Sequence, residues 1–231
     1  MANKKIILST RGLDPALLQQ LQVAGLETDA VAFIQIVYRN DAATMDAIKQ
    51  CAAKEAIIIF TSRHAVEAVT TCLPFVPGWE IACIGGATRQ AVASFFGEEK
   101  IILAAGTGNE LAKKLQELKP VKPVIFFAGN LRMDAIPAGL QEAAIAIEEI
   151  TVYETKLVPQ VLQKEYDAVI FFSPSAVESF FIANKLKPDA VIFTIGETTA
   201  AAVRQKTNNK IVVSEKHDAA YLIRKLIDYY T

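Results

Sequence analysis

Short apolar runs rich in Ile, Val and Phe alternate along this chain with stretches in which apolar positions recur every three or four residues. The runs predict strands at Ile6–Ser9, Val31–Tyr38, Ala56–Thr61, Ile81–Ile84, Lys100–Leu103, Pro123–Ala128, Ala146–Tyr153, Ala168–Phe172, Ala190–Ile195 and Lys210–Val213. The helical period predicts helices at Pro15–Ala24, Ala42–Ala53, His64–Cys72, Ala87–Phe96, Gly108–Leu118, Ala135–Ala144, Ser175–Lys185, Glu197–Lys206 and Ala219–Tyr230. This alternation implies an α/β fold of parallel sheets covered by helices on both faces. No linker is rich in Gly or Ser, so a domain boundary has to lie inside ordinary structure.

The pattern also repeats. Phe60-Thr61-Ser62-Arg63-His64-Ala65-Val66-Glu67 echoes Phe171-Phe172-Ser173-Pro174-Ser175-Ala176-Val177-Glu178, an offset of 171 − 60 = 111. Ile84-Gly85-Gly86-Ala87-Thr88 echoes Ile195-Gly196-Glu197-Thr198-Thr199 at the same offset, 195 − 84 = 111. Looser echoes join Ile36-Val37-Tyr38 to Thr151-Val152-Tyr153 and Arg11 to Arg132, at offsets of 115 and 121. A period of this length is a domain duplication rather than a solenoid. The chain therefore reads as two similar parallel-sheet halves, flavodoxin-like or Rossmann-like, with a cleft between them.

Each half carries a strand end, a serine and a helix start. Ser173 is placed to cap the helix that follows, and Pro174 at its first position costs nothing because that N–H has no partner in a helix. Such an N-terminus presents unpaired donors and partial positive charge, which suits an anionic group. Open α/β sheets bind ligands beyond the carboxyl ends of their strands, so these turns are the expected site.

Composition narrows the classes. A chain of 231 residues with 52% apolar and 21% charged residues is an ordered globular protein with room for two small domains. Its net charge of −1 offers no general attraction to nucleic acid. The apolar run after Lys4-Lys5 stops at Ser9-Thr10-Arg11, too short for a signal peptide, and no run reaches the roughly 18 residues of a membrane span. A cytoplasmic, membrane-free protein is expected. Cys51, Cys72 and Cys83 are odd in number and lack CxxC spacing, as expected of reduced and mostly buried thiols.

The familiar catalytic patterns are missing. Ser173 and Ser175 lack the glycine flanks of a nucleophile elbow. His64 and His217 sit in no metal-ligand spacing and are expected at the surface, and no metal is expected. Neither Gly-Thr turn matches a phosphate-binding loop, and the Gly-rich stretch Ala105–Glu110 is accounted for by a helix cap. Arg11 and Arg132, beyond strand ends, and Arg63, in the Ser62 turn, are either solvated or placed to grip carboxylates through paired hydrogen bonds. Tyr153 ends a strand, where it either packs or donates a phenolic proton.

Together Phe60-Thr61-Ser62, Ile84-Gly85 with Thr88, Val152-Tyr153-Glu154-Thr155, Phe172-Ser173-Pro174-Ser175-Ala176-Val177 and Ile195-Gly196 with Thr198-Thr199-Ala200 resemble the uroporphyrinogen-III synthase family. The resemblance runs from Thr10-Arg11 to the final helix. It implies one discontinuous domain of residues 1–35 and 155–231, a second of residues 40–147, and connecting strands at 36–39 and 148–154. It further implies a monomeric, cofactor-free lyase that takes hydroxymethylbilane, handed over from hydroxymethylbilane synthase, and closes it with loss of water and inversion of the last ring. By resemblance, Tyr153 assists departure of the hydroxyl. Arg11, Thr61, Ser62, Arg63, Gly85, Thr88, Arg132, Ser173, Ser175, Ala176, Thr198 and Thr199 would hold the acetate and propionate carboxylates. Gly12 stands where the family commonly has proline, and Arg63-His64 replaces the Pro-containing turn that the second half keeps. The competing reading is a non-catalytic two-domain protein that binds a tetrapyrrole or polycarboxylate.

Overall fold

The computed structural model describes residues 4–231. In chain order the first elements are β1 (Ile6–Ser9), α1 (Pro15–Val23), β2 (Glu27–Ala30), β3 (Ile34–Tyr38), α2 (Ala42–Ala52), β4 (Ile57–Phe60) and α3 (Arg63–Thr70). Next come β5 (Glu80–Ile84), α4 (Ala87–Phe96), β6 (Ile101–Ala105), α5 (Gly108–Leu118), β7 (Val124–Gly129), α6 (Ala135–Glu142) and β8 (Ile147–Leu157). The chain ends with β9 (Ala168–Phe171), α7 (Pro174–Ala183), β10 (Val191–Thr194), α8 (Glu197–Arg204), β11 (Ile211–Val213) and α9 (Ala219–Tyr230). These fall into two compact units. One takes the described chain up to Gln35 and then Lys156–Thr231, and the other takes Ile36–Thr155. The chain passes from one to the other within β3 and again within β8.

The first unit has a parallel sheet in the order β11-β10-β9-β1-β2. Leu17, Leu21, Leu222 and Leu226 of α1 and α9 cover one face with Ile7, Ile170 and Phe193. Val177, Phe180 and Val203 of α7 and α8 cover the other with Leu8, Val169 and Phe171. Because successive side chains point to opposite faces and both faces are covered, every residue of β9 is apolar and buried. The second unit follows the same rule. In β4, Ile57 and Ile59 face Leu111, Leu115 and Leu140, whereas Ile58 and Phe60 face Val66, Val69 and Trp79. The Trp79 indole donates to the Cys51 carbonyl at 3.0 Å, so its one polar atom is satisfied in the core.

The second unit's strands lie in the order β8-β7-β4-β5-β6, with β3 beyond β8. Set against the first sheet, β4, β5 and β6 take the places of β9, β10 and β11, and β7 and β8 take those of β1 and β2. Both units thus share one spatial plan and differ in where the chain enters it. The 111-residue echoes fall on equivalent strands. The looser echoes do not. Ile57 pairs with Val124 as Ala168 pairs with Ile7, so 124 − 7 = 117 and Arg11 corresponds to Ala128 rather than to Arg132. Likewise Val152 of β8 accepts from the Arg39 N–H at 2.9 Å, just beyond β3, so the 115-residue echo joins neighbouring strands rather than equivalent ones.

Several strand bounds differ from expectation, and one bears on the site: β8 does not end at Tyr153 but runs on to Leu157, so Tyr153 lies within a strand that continues out of the sheet's apolar pattern into Glu154-Thr155-Lys156. The run Val31–Tyr38 forms a strand only from Ile34, and the polar segment Glu27-Thr28-Asp29-Ala30, which has no apolar run, is the edge strand β2. No helix among the described residues is long and apolar enough to cross a membrane.

Candidate functional site

In each sheet the connections run in opposite directions from one central pair of strands, β1 and β9 in the first unit and β4 and β7 in the second. A crevice opens beyond the carboxyl ends of such a pair. The residues that emerge there are Thr10-Arg11 and Phe172-Ser173 in one unit, and Thr61-Ser62 and Gly129-Asn130 in the other.

In the first unit this rim is tied down by short-range hydrogen bonds. Thr10 Oγ1 donates to the Ile170 carbonyl at 2.8 Å, and Ser9 Oγ donates to the Arg11 carbonyl at 2.6 Å. The Arg11 guanidinium lies 4.0 Å from the centre of the Phe172 ring, a cation–π contact that keeps its charge beside the Ser173 turn. Ser173 Oγ accepts the Ala176 N–H at 3.2 Å and so caps α7. The Ala176 N–H is thereby engaged, and Pro174 brings no N–H to this turn. At the start of α8, Thr198 is exposed and Thr199 is buried. Thr88, equivalent to Thr199, is buried as well, while Gly85 donates to the Ala105 carbonyl at 2.7 Å. Gly86 then starts α4 at φ +69°, a left-handed conformation that favours glycine.

The second unit holds the denser constellation. Ser62 Oγ accepts the His64 N–H at 3.1 Å and caps α3, whose first residue, Arg63, is exposed. Tyr153, in the long strand β8, lays its ring directly on the backbone of Gly129. A Cβ at Gly129 would collide with Tyr153 Cζ and stand 2.8 Å from its hydroxyl. On another side the Tyr153 ring meets that of His64, centroid to centroid at 5.8 Å and tilted by 60°. Burial raises the Tyr153 phenol above its usual range, and a hydrogen bond with the Ser62 hydroxyl offsets this in part. A phenol shifted in that direction keeps its proton at neutral pH and is a donor, not a nucleophile.

His64 is half-buried rather than at the surface as its sequence context suggested, because α3 turns it inward toward Glu67 and Tyr153. Its Nδ1 lies 3.1 Å from Glu67 Oε2, and the same oxygen accepts from the Tyr38 hydroxyl at 2.5 Å. Burial opposes ionisation of Glu67, but the hydrogen bonds from Tyr38 and His64 outweigh it and its pKa is lowered. Burial and the Glu67 charge together push the Tyr38 phenol up to about 12. Tyr38, His64, Glu67 and Gly129 are absent from the sequence-based site. The His-x-x-Glu spacing at 64 and 67, which places both side chains on one helix face, was the available signal.

Arg132, expected to grip a carboxylate, is already engaged within the protein. Its guanidinium pairs with Asp134 and Glu149, each at 2.5 Å. The three cysteines are unbridged. Burial pushes the Cys83 thiol up to about 11, which leaves it unreactive.

A family model described as uroporphyrinogen-III synthase HemD matches residues 15–224. Among solved structures, a mutant uroporphyrinogen III synthase from Thermus thermophilus superposes with a TM-score of 0.69 at 15% identity, covering 98% of each chain. The uroporphyrinogen-III synthetase of Helicobacter pylori 26695 superposes with a TM-score of 0.63 at 16% identity, covering 97% of this chain and 99% of its own. At such identities the structural likeness speaks for the fold.

Proposed function

Because the chain belongs to the uroporphyrinogen-III synthase family, a family of cyclising lyases in haem biosynthesis, we propose that it closes hydroxymethylbilane into uroporphyrinogen III with Tyr153 as proton donor. The observation that carries this reading is the placement of the Tyr153 phenol over Gly129, the last residue of β7, and beside Ser62, where burial favours its protonated form.

The terminal hydroxyl of the bilane is a poor leaving group until it gains a proton. Tyr153 supplies one as the C–O bond breaks, and water departs. The substituted carbon of ring D attacks the carbon left electron-poor and becomes a spiro centre. Its bond to the methylene that bridges rings C and D then breaks, that methylene bonds to the unsubstituted carbon of ring D, and the proton lost from that carbon restores the phenol. The substrate loses one water, with nothing oxidised or reduced. Since the bilane also closes unaided without inversion, the larger task is to hold it folded for the inverting attack. Ser62, Arg63, Ser175, Thr198 and Arg11 are the groups proposed to hold its carboxylates, through hydroxyls, helix N-terminal N–H groups and guanidinium forks. We place the enzyme in the cytoplasm as a monomer supplied by hydroxymethylbilane synthase, a part of the reading that rests on the family resemblance.

The test is a coupled assay that separates the type I and type III isomers. Type III product from the wild type and a loss of about 10²–10⁴ in rate for a folded Tyr153→Phe, the usual worth of a general acid, support the reading. Type I product alone at the uncatalysed rate would leave a binding protein. A wild-type rate for Tyr153→Phe would reduce the phenol to packing.

A further inference from the structure

A ring that is mostly but not wholly enclosed keeps one orientation only if its neighbours are themselves fixed. Tyr153 has the Gly129 backbone on one side, which cannot move without moving β7. Elsewhere it has the edge of His64, a side chain with two rotatable bonds. What fixes His64 therefore bears on where the phenol points.

Glu67 fixes it. An ionised carboxylate only accepts hydrogen bonds, so its contact with His64 requires a proton on Nδ1 and ties that edge of the imidazole to Glu67. A lone His–Glu pair three residues apart on one helix would be weakly held. Here the carboxylate is anchored from a different element, because the Tyr38 hydroxyl at the end of β3 donates to the same oxygen. The Tyr38 ring also stands 6.5 Å from the His64 ring, closing a cluster of Tyr38, Glu67, His64 and Tyr153 drawn from β3, α3 and β8. Nothing in the proton transfer itself calls for Tyr38 or Glu67. Their convergence on the neighbour of the acid is a positioning arrangement.

We propose that Tyr38, Glu67 and His64 are positioning residues, which hold the Tyr153 phenol in its reactive orientation through one shared carboxylate oxygen. This rests on the reading of Tyr153 as proton donor. The three residues act through kcat, since they orient the acid rather than the substrate.

The experiment is a double-mutant cycle with isomer-resolved kinetics, using Glu67→Gln and Tyr38→Phe, each alone and combined with Tyr153→Phe. In the wild-type background Glu67→Gln is expected to lower kcat for type III by about 10-fold, the scale of a small misplacement of a reacting group, with little change in KM. Tyr38→Phe, which removes one hydroxyl and keeps the ring, should shift kcat in the same direction by less. In the Tyr153→Phe background both should be nearly silent, because no phenol is left to position. Equal losses in both backgrounds, or losses confined to KM, would overturn the positioning role while leaving the acid in place. A wild-type rate for Tyr153→Phe alone removes the acid and the positioning role together. Should Glu67→Gln fail to fold, the milder Tyr38→Phe cycle decides the matter by the same criteria.

Discussion

Gly129 shows how a single absent side chain shapes a site. It is not one of the glycines at positive φ, which are Gly25, Gly86 and Gly97, so its backbone makes no demand that alanine could not meet. The demand is for space, since the Tyr153 ring occupies the volume a methyl group would take. Gly129→Ala must push that ring off the strand, and the phenol with it. Expected are a fall of about 10-fold or more in type III turnover, on the scale of small positional errors, and a melting temperature close to wild type. Steady-state kinetics with thermal melts checks this, and unchanged turnover would show that the ring position is immaterial.

At the scale of elements, the two serine-capped helices allow a comparison within one molecule. Ser173 caps α7 at 3.2 Å and Ser62 caps α3 at 3.1 Å, so replacing either by alanine should cost about 1 kcal/mol of stability. Only Ser62 also touches the Tyr153 phenol. Ser62→Ala is therefore expected to lose turnover beyond its stability cost, and more of kcat than Ser173→Ala does. Denaturant melts paired with kinetics would show it, and equal kcat losses in the two variants would refute it. These elements were legible because buried parallel strands are continuously apolar and because Ser-Pro and Ser-Arg starts announce a cap. β2 was not legible. Its Glu27-Thr28-Asp29-Ala30 pairs with β1 through backbone bonds such as Glu27 N–H to the Lys5 carbonyl at 2.9 Å, and Asp29 is held by the Tyr166 hydroxyl at 2.9 Å and by Lys164 at 3.0 Å. An edge strand maintained by its backbone and by partners 135 residues or more away leaves no local hydrophobic signal. Tyr38 escaped for the same reason, since it meets Glu67 only once β3 and α3 are in place, whereas the His64–Glu67 pair had a local signal in its spacing.

At the scale of the whole molecule, a shared plan entered at different points has a cost. The second unit is one continuous stretch of chain, whereas the first is assembled from two segments. Asp167 sits where those segments meet. From the first segment it accepts the Ile6 N–H at 2.8 Å and Lys5 Nζ at 3.2 Å, and from the second it accepts Lys187 Nζ at 2.9 Å. Its carbonyl takes the Tyr230 hydroxyl of α9 at 3.1 Å, which fastens the last helix to the same point. Burial opposes ionisation of the carboxyl, but the hydrogen bonds from Ile6, Lys187 and Lys5 outweigh it and hold its pKa at about 2. Since the folded value lies below the unfolded value of about 3.9, the ionised form stabilises the fold at every pH above about 4. That stabilisation, about 2 kcal/mol from the size of the shift, drains away as pH falls from about 4 toward 2. Asp167→Asn should therefore be less stable than wild type at pH 7 by roughly that amount, and the two stability curves should converge as the medium is acidified. Denaturant melts of both proteins between pH 7 and pH 2 measure the gap directly. A gap that stays constant across that range would mean that the carboxylate's charge contributes nothing to joining the two segments.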